Sequence, residues 1–227
     1  MLRYSCIMMI EANNERTHTM VNYLGDMGGG GMLLAFGVVC ALLEARRSGR
    51  GQVVDASMVE GSALLSTMMW GFHGAGVWSQ PRGMNFADGG AFYNRSYEAA
   101  DGKYVTIASV EPQFYRKLRE IAGLEDPLFD ERDDPKHWPA QADRLAAVVK
   151  TRTRDEWCAL MEGHDVCFAP VLDWDDAPRN AHNRAREVFI DVAGVTQPAP
   201  APLPTQPSAV IRDRWEFAFP SRRLAAI

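Results

Sequence analysis

Asp26 stands just ahead of four consecutive glycines, Gly28, Gly29, Gly30 and Gly31, with an apolar run behind them. An aspartate before a helix is most simply an N-cap that satisfies open amides. The glycines ask for more, because each costs about 1 kcal/mol relative to alanine in a regular element. They imply backbone that must come close to another group. A glycine-rich loop feeding a helix N-terminus is a ready anion site, so the amides of Gly28–Gly31 are candidates to hold a carbonyl oxygen or a cofactor anion. Neither GxGxxG nor the lysine of GxxxxGK[ST] is present, so nucleotide binding is weakly supported. Glu111 closes the apolar stretch Val105-Thr-Ile-Ala-Ser-Val and opens Glu111-Pro-Gln-Phe-Tyr115. A carboxylate at a strand end before a helix is where α/β enzymes often place catalytic groups, although a helix-start acid also meets the dipole.

Met58, Met68, Met69 and Met84 are a third candidate group. Met58 and Met69 are spaced to share one helical face, which suits core packing or an adaptable surface for a flexible acyl chain. The histidines, His18, His73, His137, His164 and His182, have no HxxxH or triad context and read as structural or exposed. Cys6, Cys40, Cys158 and Cys167 form no CxxC pair and no cluster at metal spacing, so reduced thiols and no metal are expected.

The elements that would position these residues follow from local signals. A Gly-rich turn over 25–31 leads into a helix from Met32 to Arg47, apolar on nearly every face and therefore expected to be buried. Arg46, Arg47 and Gly49 end it. Gln52–Ala56 reads as a strand and Met58–Phe72 as a second buried helix, with Glu60 near its start. A loop follows to Gly90. Phe92–Ala99 and Lys103–Ser109 read as strands joined at Ala100-Asp-Gly102. Pro112 opens a helix through Ala122. Further helices are expected over Pro139–Lys150 and Arg154–Glu162, the latter capped near Thr153 with Glu156 three residues on. Val166–Leu172 reads as a strand and Asp173–Ala177 as the start of another helix. Gln197–Pro207 holds five prolines and should be extended, outside any sheet.

Whole-chain quantities bound the function. The 227 residues are 47% hydrophobic and 23% charged, enough for a core without disulfide or metal staples. The net charge of −5 argues against nucleic acid as a partner. The apolar run Met32–Leu43 is shorter than the roughly 20 residues a membrane span needs, so no membrane partner is expected and the chain reads as cytoplasmic. The expected organisation is an unmatched, disordered leader over 1–20, a catalytic-loop and helical part of a larger domain over 21–75, and a smaller α/β domain over 76–196. A Pro-rich return segment with a divergent C-terminus follows over 197–227.

Several motifs occur together in a fixed order: Tyr23-Leu-Gly-Asp-Met-Gly-Gly-Gly-Gly-Met32, Arg47-Ser-Gly-Arg-Gly-Gln-Val-Val-Asp-Ala-Ser-Met58, Val59-Glu-Gly61, Glu111-Pro-Gln-Phe-Tyr115, Asp155-Glu-Trp-Cys158, Ala169-Pro-Val171 and His182-Asn-Arg184. From Val21 to Pro207 the chain resembles the α-methylacyl-CoA racemases, of the family III CoA-transferases (CaiB/BaiF type). The resemblance implies an α/β fold: part of a large Rossmann-like domain plus a smaller α/β domain, in interlocked homodimers with the active site at the subunit interface. It implies Asp26 and Glu111 as catalytic residues, acyl-CoA as substrate, and no cofactor beyond the coenzyme A that the substrate carries. In the family a histidine from Gly-His-Asp, upstream of the aspartate, completes the site. No Gly-His-Asp precedes Asp26 here (the triplet at Gly163-His164-Asp165 falls far after it), so the sequence reads as a segment lacking the family's N-terminal part, with reduced or absent activity expected.

Racemisation at C2 of a 2-methylacyl thioester needs a base on each face and stabilisation of the enolate. On this reading Asp26 serves one face, Glu111 the other, the Gly28–Gly31 amides the thioester oxygen, and the four methionines the acyl chain. The alternatives are a family III CoA-transferase in which Asp26 carries the acyl group as a mixed anhydride, and a non-catalytic fragment.

Overall fold

The structure, a computed structural model, describes residues 22–201; the expected leader and most of the C-terminal segment lie outside the described residues. The described residues fall into two compact units, one through Pro170 and one from Val171. The division falls inside the stretch 76–196 that the sequence presents as one smaller domain.

The first unit begins not with a turn but with a π-helix, Tyr23–Met32, which runs directly into α1, Leu33–Ser48. The wider winding is visible where the Met27 amide donates to the Asn22 carbonyl at 3.1 Å. α1 ends as expected, with Arg46 and Arg47 in its last turn and Gly49 at φ 73°, whose amide bonds the Ala45 carbonyl. The expectation of burial fails, since no residue of α1 is buried. Phe36, Val39, Leu42 and Leu43 are all exposed. Together the π-helix and α1 form a 26-residue run that is long and apolar enough to cross a membrane by length and composition. The shorter span expected from the sequence stopped at the glycines, which the helix in fact incorporates.

The expected strand at Gln52–Ala56 does not form: no neighbouring strand pairs with it, and Val53 is 92% exposed. Val54, half-buried like Ala56, lies against Gly37 of α1. Met58–Phe72 is not one helix but two, α2 (Met58–Leu65) and α3 (Thr67–Gly74). Hydroxyls at the junction bond backward, Ser66 Oγ to the Ala63 carbonyl (2.8 Å) and Thr67 Oγ1 to the Leu64 carbonyl (2.6 Å). Back-bonding of this kind bends helices. Ser57 starts α2 by accepting the Glu60 amide and donating to its carboxylate.

The remainder of the unit holds the core. β1 (Asn94–Glu98) and β2 (Tyr104–Ala108) pair antiparallel with Tyr97 opposite Val105, and β3 (Phe168–Pro170) adds antiparallel to β2 with Phe168 opposite Ile107. β2 is thus central, and its alternate residues Val105 and Ile107 are buried. α4 (Pro112–Ala122), α5 (Trp138–Val149) and α6 (Arg154–Met161) supply Leu118, Leu145 and Trp157 to the same core. α6 starts with the expected capping box, the Thr153 hydroxyl and Glu156 carboxylate each bonding the other's amide. Phe92 packs edge-on to Tyr115 and against Phe129.

In the second unit two short helices, α7 (Asp176–Arg179) and α8 (Ala181–Ala185), precede a ribbon of β4 (Phe189–Val192) and β5 (Val195–Pro198). Ala193 and Gly194, both at positive φ, make its tight turn. Gln197 and Pro198 therefore sit in a sheet, contrary to expectation. The ribbon has only two strands, so Pro198 needs no second neighbour.

Candidate functional site

Asp26 lies in the first turn of the π-helix and is half-buried. The amides of a first turn have no partner within the helix and favour a negative group there. Because the helix starts at Tyr23, the amides of Gly28–Gly31 are wound inside it. The open N-terminus that the sequence places after Gly31, and with it an oxyanion site on those four amides, is not what the structure forms.

The group that the glycines admit is another helix. A Cβ on Gly61 of α2 would sit 1.9 Å from the Gly29 carbonyl oxygen, and one on Gly29 would sit 2.8 Å from the Ser62 amide. Gly30 faces the Met58 side chain, and Gly28 faces Leu65. The π-winding adds its own constraint: Cβ atoms on Gly28, Gly30 and Gly31 would lie 3.2–3.4 Å from the carbonyls of Tyr23, Gly25 and Asp26. Packing against α2 thus holds the turn that presents Asp26.

Glu111 stands at the junction of β2 and α4, with extended backbone (φ −75°, ψ 143°) and an exposed side chain that makes no capping bond to α4. The carboxylate is therefore not spent on the helix start. Across from the end of β2 lies Cys167, whose carbonyl accepts the Ala108 amide at 2.8 Å. Desolvation, then the charges of Glu111 and Asp165, push the Cys167 thiol up from its ordinary value. Asp26 and Glu111 thus belong to separate packing groups, the π-helix with α2 and the β2–α4 junction.

The methionines do not share a face, because the helix breaks at Ser66 between Met58 and Met69. Met58, Met68 and Met84 are exposed and Met69 is half-buried, so none is a core residue. His73 faces the Trp78 carbonyl at 3.5 Å, and His137 lies 3.9 Å from Asp134. His18 and Cys6 lie outside the described residues. Among the described residues, no group of His, Cys, Asp and Glu is placed to hold a metal ion.

Two polar centres escaped the sequence. Asp88, buried in the loop before β1, accepts the amides of Gly83, Asn85 and Gly90 and the Asn85 side chain, while Asn85 Oδ1 accepts the Ser79 amide at 2.7 Å. The short Asn-x-x-Asp-Gly-Gly spacing was its only local signal. Arg132, between α4 and α5, donates from Nη2 to the Val110 carbonyl at 2.6 Å, one residue before Glu111. Nothing local marks it.

The sequence matches the description of CoA-transferase family III over residues 1–221. The chain belongs to that family. It is 42% identical over 202 residues to the alpha-methylacyl-CoA racemase of Mus musculus, covering 88% of this chain and 53% of that protein. With the alpha-methylacyl-CoA racemase of Homo sapiens it shares 37% over 199 residues, 86% of this chain and 51% of that one. The cinnamoyl-CoA:phenyllactate CoA-transferase of Clostridium sporogenes shares 28% over 171 residues, 67% of this chain and 39% of that protein. Among solved structures, Rv3272 from M. tuberculosis superposes with a TM-score of 0.65 at 19% identity, over 89% of this chain and 54% of its own. A CaiB/BaiF family protein from Brucella suis gives 0.63 at 20% identity, over 90% and 55%. The chain spans about half the length of the curated relatives it matches. The fold is that of the family.

Proposed function

We propose that the chain acts as an α-methylacyl-CoA racemase, epimerising C2 of 2-methylacyl-CoA thioesters. The observation that carries this is the 42% and 37% identity to proteins bearing that name, against 28% to a CoA-transferase. One carboxylate takes the C2 proton, the C–H electron pair moves into an enolate, and the other group returns a proton to the opposite face. The C2 acid is weaker than a carboxylic acid by more than about 10 pKa units, a gap of over ~14 kcal/mol if nothing stabilises the enolate. Asp26 and Glu111 are the two proton carriers. Their separate packing groups, and the exposed apolar faces of α1 to α3, support a homodimer in which they meet across the subunit interface. The same protein contact covers Tyr23–Ser48, which makes that run a core helix and not a membrane span. The chemistry needs no cofactor beyond the substrate's own coenzyme A. Free thiols at Cys40, Cys158 and Cys167 support a reducing, cytoplasmic setting.

The test is deuterium incorporation at C2 of 2-methylacyl-CoA in D2O. Since no Gly-His-Asp precedes Asp26 in the sequence, exchange should run ~10²–10⁴-fold below the ~10 s⁻¹ of a typical enzyme. It should vanish in Asp26→Asn, and Glu111→Gln should slow one enantiomer more than the other. A hydroxylamine-trapped acyl adduct on Asp26, with exchange indifferent to Glu111→Gln, would instead establish the transferase. No exchange above the protein-free thioester would leave a non-catalytic fragment.

A further inference from the structure

Glu111 has a mobile kind of side chain on a backbone that is held on both sides. Its own carbonyl accepts the Tyr115 amide at 3.0 Å, the first bond of α4. The preceding carbonyl, that of Val110, accepts from Arg132 Nη2 at 2.6 Å. Arg132 is itself fixed in four ways. Its guanidinium carbon lies 4.5 Å from the Tyr93 ring centre and 5.0 Å from that of Tyr115. Its Nε donates to Asp133 Oδ1 at 2.9 Å, and its carbonyl accepts the Trp138 indole N–H at 2.7 Å. Only a planar guanidinium can stack between rings, pair with a carboxylate and bond a carbonyl at once; an ammonium is a point donor. Tyr93 adds a further link, its carbonyl accepting the Ser109 amide at 2.9 Å. The loop after α4, the residues before β1 and the end of β2 thus converge on the peptide that leads into Glu111.

We propose that Arg132 is the positioning residue for the Glu111 carboxylate, holding the Val110–Glu111 peptide so that the side chain leaves the β2–α4 junction in one direction. The inference rests on the reading that Glu111 transfers a proton, because a rigid mount matters to a group that must meet a reacting carbon. Misplacement by about 1 Å can cost ~10²-fold in rate.

Cys167 is the exposed reporter: its backbone pairs with Ala108 at the end of β2, and the negative charge of Glu111 favours its protonated thiol. In a protein with Cys6, Cys40 and Cys158 changed to serine, iodoacetamide alkylation of Cys167 is followed against pH. Four proteins complete the cycle: the parent, Glu111→Gln, Arg132→Lys, and both together. With Arg132 present, Glu111→Gln should lower the pH midpoint and raise the rate near neutral pH by about twofold. In the Arg132→Lys background the same change should do much less, since the carboxylate no longer keeps its place. An equal effect of Glu111→Gln in both backgrounds overturns the proposal. Should Arg132→Lys lose its near-UV ellipticity, Arg132→Gln, which keeps a planar polar end but gives up the charged fork, takes its place in the cycle with the same two outcomes. C2 exchange separates the underlying reading: if Glu111→Gln leaves exchange unchanged, proton transfer by Glu111 falls, while the cycle still decides what Arg132 does. If Glu111 does carry the proton, Arg132→Lys should cut kcat by ~10-fold or more with KM little moved.

Discussion

Individual residues in the core set how the fold answers to pH. Burial raises the phenol of Tyr115, with Arg119 and Arg132 pulling the other way, and leaves it at about 12. Tyr97 and Tyr93 are also raised, mainly by burial. The Tyr115 hydroxyl donates to the Phe129 carbonyl at 2.7 Å and the Tyr97 hydroxyl donates to that of Phe92, so the neutral forms are the bonded ones. A tyrosine whose folded pKa exceeds its unfolded value of about 10 favours the folded state fully below pH 10. That contribution is lost as pH rises through the folded value. Stability should therefore be flat to pH ~10 and fall between 10 and 12, by on the order of 2 kcal/mol for Tyr115. Denaturant titrations at stepped pH, read beside tyrosinate absorbance, check this. No loss of stability between pH 10 and 12 would contradict it.

Among the elements, the pairing of the π-helix with α2 is the contact on which the placement of Asp26 depends. The two backbones touch through Gly29 and Gly61, where a methyl on Gly61 has no room. Gly61→Ala should therefore destabilise by at least ~1–3 kcal/mol, the usual cost of overpacking, and more if the helices must separate. Gly71, inside α3, is the control, with no atom within 4 Å of an added Cβ and no left-handed φ. Gly71→Ala should stabilise by roughly 0.5–1 kcal/mol through helix propensity alone. Urea midpoints for the two variants should move in opposite directions. Equal, small shifts would mean that α2 and the π-helix do not pack as described.

At the scale of the whole molecule, the exposed apolar surface is the dominant fact. Phe36, Val39, Leu42 and Leu43 on α1 are exposed, as are Leu64 on α2 and Met68 on α3, and exposed apolar surface of this kind marks interaction surfaces. The chain should associate at micromolar concentration, as dimers or larger assemblies, and bind hydrophobic dyes when dissociated. Phe36→Lys with Leu43→Glu should shift the light-scattering mass toward the monomer while far-UV helicity is kept. A dye-silent wild-type monomer would remove the case for a protein partner, and partition of the wild type into lipid vesicles would make Tyr23–Ser48 a membrane segment instead.

Much of this was legible in local sequence. The β1–β2 hairpin, the start of α4 at Pro112 and the Thr153–Glu156 capping box depend on residues a few positions apart, as do the junction carrying Glu111 and the family's motifs. The rest depended on partners far along the chain. The glycines after Asp26 asked for a close neighbour, but only tertiary packing decided that the neighbour is Gly61 and that the segment winds as a π-helix. Gln52–Ala56 has strand-like residues and no strand beside it, so its pattern goes unused. α1 is apolar all round, which ordinarily means burial, yet burial is a property of what surrounds a helix. Arg132 reads as one more surface cation until the fold brings Tyr93, Tyr115 and the Val110 carbonyl around it. Periodicity and capping report interactions within a turn or two; which backbone meets which, and what covers an apolar face, is settled by contacts that no local pattern encodes.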